Sequence, residues 1–108
     1  MMNAKLMNTK ELLSRYAAGQ RDFQNLNLVA ANFRNVNLSG ANLSGSNLTK
    51  ANLTRTNLSY ANLTGTVLKG AVLLDTNLHC ANLSQVDLAE VDASKTNLRK
   101  ASSTQAVN

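Results

Sequence analysis

The sequence predicts an all-β solenoid wound around an aliphatic core, and three observations carry that prediction. A five-residue pattern runs from Arg21 to Lys100 without a break, as sixteen units from RDFQN, LNLVA and ANFRN to VDASK and TNLRK. Within the units the residue types are fixed by position. The third is Leu or Phe in 15 of 16 (Ala93 is the exception), the first is Ala, Ser, Thr or Val in 14, and the second is Asn or Asp in 14, with Val67 and Val72 departing. The composition supplies a core without large rings: of 108 residues, 44% are hydrophobic but only 4% aromatic, with no Trp and no Pro. A period of five fits neither regular element. On a helix successive Leu positions would advance about 140° each and cover every side, and on a flat strand they would alternate faces. They share one interior only if the chain turns a corner after every unit. First and third positions then point inward, and second, fourth and fifth point outward.

Three segments follow in order. Residues 1–20 precede the repeat. There Asn8, with Glu11 three residues on, reads as a capping box. Leu12, Leu13, Tyr16 and Ala17 make an apolar face, with Leu6 a turn earlier. Glu11 and Arg15 form an i,i+4 pair, and Gly19 is a helix stop. A helix over 8–18 is expected to cover the first coil, packed on Phe23, Leu28 and Phe33. Residues 21–100 form the solenoid. Its expected core is Phe23, Leu28, Phe33, Leu38, Leu43, Leu48, Leu53, Leu58, Leu63, Leu68, Leu73, Leu78, Leu83, Leu88 and Leu98. At twenty-residue intervals Thr56, Thr76 and Thr96 stack beneath Val36, which suits hydroxyls bonded to backbone, and Asn37, Asn57, Asn77 and Asn97 suit an amide ladder. Residues 101–108 (ASSTQAVN) are a small polar tail. The last coil therefore looks uncovered. The tail could fold across it, two chains could meet there end to end, or a partner could fit it.

At this register the sequence resembles the pentapeptide repeat family, whose pattern is A(D/N)LXX. The resemblance covers about three quarters of the chain. It implies a right-handed quadrilateral β-helix with four units per coil, hence about four coils. The segment RYAAGQRDF, Arg15 to Phe23, is similar to one in small cyanobacterial members of the family that begin with a short helix. Two functional precedents come with the resemblance: protein-contact regulation, and inhibition or protection of type II topoisomerases by longer, acidic DNA mimics.

Function is read from the outward positions. No phosphate-binding loop, GxSxG or HExxH motif occurs. His79 and Cys80 are neighbours, but a nucleophilic pair needs a shared hydrogen bond and a third, orienting group. No enzyme, cofactor or metal site is expected. One cysteine excludes an intrachain disulfide framework. No apolar run approaches the roughly 20 residues of a membrane span, and the first 13 residues lack a secretory apolar core, so a cytoplasmic protein without membrane contact is expected. The formal net charge is +5, with eleven Lys and Arg against six Asp and Glu. By register it divides as about +2 before the repeat, 0 on sides one and two, +1 on side three and +2 on side four. That scatter, without an aromatic ladder, is no nucleic-acid footprint. Side four (36–40, 56–60, 76–80 and 96–100) gathers Tyr60, His79, Cys80, Arg99 and Lys100, the residue types most prone to interaction. The expectation is a non-enzymatic protein-interaction scaffold with that face as its surface. The alternatives are a self-assembling solenoid block, through an end-to-end homodimer at the C-terminal coil, and a DNA-mimic topoisomerase modulator, which short length and positive charge oppose. Outward Ser59 is expected to tolerate substitution.

Overall fold

The computed structural model describes residues 5–103; the rest of the tail, 104–108, lies outside the described residues. The chain opens with two residues of strand, β1 (Lys5–Leu6), then α1 (Thr9–Ala17), and β2 (Leu26–Asn27) follows in the repeat. Asn8 caps α1, its side-chain oxygen accepting the Glu11 N–H at 2.7 Å, which satisfies one of the free donors of the first turn. The Glu11 carboxylate turns instead to Arg15, 2.8 Å away. Gly19, at φ 105, ends the helix with its N–H on the Tyr16 carbonyl. Leu12 is fully buried, and Leu13 and Tyr16 pack half-buried on the core.

Two side chains of the expected apolar face lie elsewhere. Ala17 is exposed, because five residues carry it about 140° round the helix from Leu12. Leu6 is not helical: it belongs to β1 and is 75% exposed, while Met7 takes the inward place at 6%. Both residues of β1 are exposed, and Met7, just past it, is the first described side chain to turn inward. β1 runs parallel to β2, Lys5 opposite Leu26 and Leu6 opposite Asn27.

From residue 21 the chain pairs with itself at intervals of twenty. Parallel bridges link Asn37, Asn57, Asn77 and Asn97 in one column, and Asp22, Asn42, Asn62, Asn82 and Ser102 in another. The bonds repeat as regularly as the sequence does. Leu38, Leu58 and Leu78 each donate an N–H to the second-position carbonyl of the following rung at 2.8 Å. At the corners from Ala31 to Ala101, Val91 excepted, a first-position N–H closes a turn onto the preceding third-position carbonyl, as Ala61 does onto Leu58 at 3.1 Å. Every fifth position from Asn25 to Lys100 except Glu90 has φ between 54° and 73°, the left-handed conformation that bends the chain.

All third positions from Phe23 to Leu83 are at most 2% exposed. Alanines fill the narrower first positions beside them, with Ala41, Ala51, Ala61, Ala71 and Ala81 at 1% or less. Threonine hydroxyls there reach back one rung, Thr56 to Phe33 O at 2.7 Å, Thr76 to Leu53 O at 2.7 Å and Thr96 to Leu73 O at 2.6 Å. The asparagines do something other than form a ladder. Each side-chain oxygen accepts the N–H two residues on, as Asn57 does from Ser59 and Asn77 from His79, both at 3.0 Å. These local Asx turns engage each amide oxygen within its own rung. Among the described residues the one direct link in this column is Asn97 to Asn77, at 3.4 Å. Ser59 also differs from expectation. It is 8% exposed, its hydroxyl 3.0 Å from that of Ser39, because two small side chains on adjacent rungs cover each other.

The pattern loosens near its end. Leu88 and Leu98 are only half-buried and Ala93 is exposed, yet pairing continues past Lys100: Leu83 N–H reaches Ser102 O at 2.7 Å and Ala101 packs on the core. Within the unit Val86–Glu90 the ladder skips a residue. Lys50 N–H bonds Lys69 O, nineteen residues on, but Gly70 N–H bonds Glu90 O, twenty on. Asp92 again pairs with Val72 at twenty, so the unit is a local bulge in an otherwise unshifted register. It lacks the bridge to Val67, the corner bond from Val91 and the left-handed fifth residue found elsewhere. No helix among the described residues is long and apolar enough to cross a membrane.

Candidate functional site

Side four is built by the same devices on each rung. Inward Thr56, Thr76 and Thr96 tie it to the core, and Asn37, Asn57, Asn77 and Asn97 fold the backbone into a turn at the fourth position. The fourth and fifth side chains are thereby held in fixed columns. One column carries Ser39, Ser59, His79 and Arg99, and the other Gly40, Tyr60, Cys80 and Lys100.

Tyr60 is the feature of this face. It is 64% exposed and sits at φ 61, a conformation that is uncommon for a bulky residue. Its N–H donates to the His79 carbonyl at 2.8 Å. The two rings meet edge to face, centroids 5.7 Å apart and planes at 88°, the arrangement that aromatic quadrupoles favour. Cys80 is a free, half-buried thiol whose N–H is bonded to Arg99 O at 2.9 Å. Arg99 and Lys100 are exposed on the last rung. The structure thus joins Tyr60 directly to His79, while the Arg99 and Lys100 side chains stand free in solvent one rung further on. No group of three or more His, Cys, Asp or Glu among the described residues could hold a metal ion.

Sequence reasoning missed the upper border of this face. The Tyr16 hydroxyl leaves α1 to donate to Ser39 O at 2.7 Å. The Arg21 guanidinium lies 3.7 Å from the Tyr16 ring centre and donates to the Tyr16 and Gln20 carbonyls, both at 2.9 Å. This cation–π and hydrogen-bonded clasp fixes the helix onto the first rung. Its signal was the segment RYAAGQRDF, which contains all of its residues except Ser39.

A scaffold of parallel-bridged five-residue sides, invariant inside and variable outside, defines a repeat solenoid of the β-helix class. The chain belongs to the pentapeptide repeat family: the family model described as pentapeptide repeats matches residues 22–55, 51–88 and 68–102. Members of this family fold as right-handed quadrilateral β-helices. Among solved structures, a pentapeptide repeat protein from Nostoc, alr5209, is 33% identical with a TM-score of 0.76, covering 93% of this chain and 78% of its own. HetL, a pentapeptide repeat protein from Nostoc involved in regulating heterocyst differentiation, is 30% identical with a TM-score of 0.58, covering 88% of this chain and 48% of HetL. This chain therefore spans about half of HetL's length. No curated protein sequence matches.

Proposed function

We propose that the chain is a four-coil solenoid, capped by α1, that serves as a non-enzymatic protein–protein interaction scaffold presenting side four to its partner. The observation that carries this reading is Tyr60, a large ring held out at a left-handed corner and braced by His79. A bulky residue in that conformation is costly to keep, and buried-anchor aromatics with nearby arginines supply most of the energy at interfaces. Arg99 and Lys100 extend the surface by one rung, and Cys80 fills the column between Tyr60 and Lys100. HetL, a relative of this fold, is involved in regulating heterocyst differentiation, and a regulatory scaffold is in keeping with that role.

The test is capture from native lysate on immobilised wild type and on the Tyr60→Ala, Arg99→Ala double variant. A partner held by wild type and lost by the variant supports the surface. A partner held equally by both removes side four from the reading.

A second reading, end-to-end self-association, rests on the half-exposed Leu88 and Leu98 of the last rung. It predicts concentration-dependent dimers that Leu98→Lys abolishes; a monomer at high concentration excludes it. DNA mimicry finds no support in a chain of net charge +5.

A further inference from the structure

The two ends of the solenoid are finished differently. At the N-terminal end α1 covers the core: Leu12 is fully buried, and the Tyr16 hydroxyl donates to Ser39 O in place of the N–H that an earlier rung would supply. At the C-terminal end Leu88, Val91 and Leu98 are only part-buried and Ala93 is exposed. Elsewhere third- and fifth-position N–H groups feed the following rung, as Leu78 N–H does Asn97 O at 2.8 Å and Cys80 N–H does Arg99 O at 2.9 Å. Among the described residues the equivalent N–H groups of Ala93, Lys95, Leu98 and Lys100 have no backbone partner. An open sheet edge beside part-exposed core is a template for a further layer. Because α1 closes the other end, only like ends can meet, and a contact of like ends closes about a twofold axis instead of growing into a fibre.

The charges of the last rung select the axis. Side two carries Asp87 and Glu90 there, and side four carries Arg99 and Lys100, all four exposed. Side three balances Asp92 with Lys95, and the residues of side one, 81–85 and 101–103, carry no charge. Sides two and four are opposite faces of a four-sided coil. An axis through sides one and three therefore stacks the acidic face of each copy on the basic face of the other. An axis through sides two and four stacks like charge on like, which is costly, and a diagonal axis gives each charged face a neutral neighbour. The favoured axis also reverses strand direction across the contact, so third positions meet third positions and second meet fourth. Leu88 then lies against the partner subunit's Leu98, and Asp87 against the partner subunit's Arg99. These charges are available: Glu90 is held only by Lys69 one rung back, at 3.8 Å, beyond hydrogen-bond distance, and Asp87 uses Oδ1 alone, on the Ala89 N–H.

We propose that two copies of this chain pair C-terminal end to C-terminal end about a twofold axis through sides one and three, the acidic side two of each seated on the basic side four of the other. The pairing rests on self-association through the last rung, the second reading above, and adds to it the orientation and the groups that set it.

Sedimentation velocity over a concentration series tests this with wild type, Leu98→Lys and two charge variants. Arg99→Glu with Lys100→Glu makes both faces acidic. Asp87→Asn with Glu90→Lys makes both basic, while keeping a side-chain oxygen for the Ala89 N–H. Circular dichroism establishes that each variant is folded. Each alone is expected to dimerise at least about tenfold more weakly than wild type, and an equimolar mixture of the two is expected to recover mixed dimers, since opposite faces then meet again. If both variants dimerise as tightly as wild type, or the mixture associates no better than either alone, the orientation is overturned and the end-to-end contact stands. A wild type that is monomeric at every concentration, or dimers that survive Leu98→Lys, overturns both.

Discussion

Two stretches of the same repeat, residues 31–85 and residues 86–100, differ in how completely they are closed. In the first, every third-position side chain is at most 2% exposed, and every corner carries a left-handed fifth residue. In the second, Leu88 and Leu98 are half-buried, Ala93 replaces the expected Leu, and Glu90 breaks the corner pattern. The motif is nearly the same, so the difference lies in the neighbours. A solenoid unit is stabilised by the rungs above and below it. Leu78 has Leu58 on one side and Leu98 on the other, whereas Leu98 lies on the final complete rung of the repeat. Ala93 deepens the effect, since it gives its side no large group to draw the corner inward.

The largest predicted effect exploits this contrast. Leu58→Ala or Leu78→Ala should cost about 2–5 kcal/mol, as for other fully buried leucines, and Leu98→Ala roughly 1 kcal/mol, in keeping with its partial burial. Urea unfolding of the three variants measures the difference; equal losses would break the comparison. Ala93→Leu should sharpen it in the other direction, filling the position with the residue the pattern demands and raising stability by about 0.5–2 kcal/mol. A loss would show that the last side is shaped for the smaller residue. Smaller again is Ser59→Ala, about 1 kcal/mol by the same measurement, because the hydroxyl is covered and 3.0 Å from that of Ser39. A neutral outcome would return Ser59 to the class of outward, unconstrained residues.

The smallest effect concerns acid. Asp92 accepts from the Ser94 hydroxyl at 2.8 Å and from its N–H at 3.2 Å, and these bonds, the hydroxyl first, hold its carboxyl below the ordinary value of 3.8. A carboxyl depressed in the folded state stabilises above its unfolded pKa and loses that contribution as pH falls through the folded value. Asp92→Asn should therefore flatten the acid limb of the stability curve below about pH 4 and lower stability slightly at neutral pH, where the carboxylate's contribution is in place. An unchanged acid limb would remove Asp92 from the account.

Much of this was legible because period and chemistry agreed. The Leu and Phe columns, the small first positions and the threonine bonds all follow from a register that a single reading of the sequence fixes. The helix was legible from Asn8, Glu11 and Gly19. What escaped depended on contacts that no period encodes. β1 is two residues long, too short to show alternation. The asparagines were assigned to stacking, yet their oxygens engage the nearest N–H group along the chain, as turn geometry dictates. Ser59 was outward by register and covered in fact, since burial depends on the size of the neighbouring rung. The bulge at Val86–Glu90 has no sequence mark beyond Ala93 and the loss of Asn at Val67. Of the candidate face, the columns were legible; the Tyr60–His79 edge contact and the Tyr16–Arg21 clasp were not, because side-chain direction across rungs lies outside the repeat pattern.

Native-state hydrogen exchange at two amides tests the central claim, that one regular ladder runs through the molecule until the bulge interrupts it. Leu48 and Leu68 occupy the same position on consecutive rungs of side two and are equally buried, at 0% and 2%. Only the Leu48 N–H is bonded, to Val67 O at 2.8 Å. The account predicts near-global protection at Leu48 and markedly faster exchange at Leu68. Equal, strong protection at both would mean that the ladder continues unbroken through Val86–Glu90, and the contrast between the two stretches would fall.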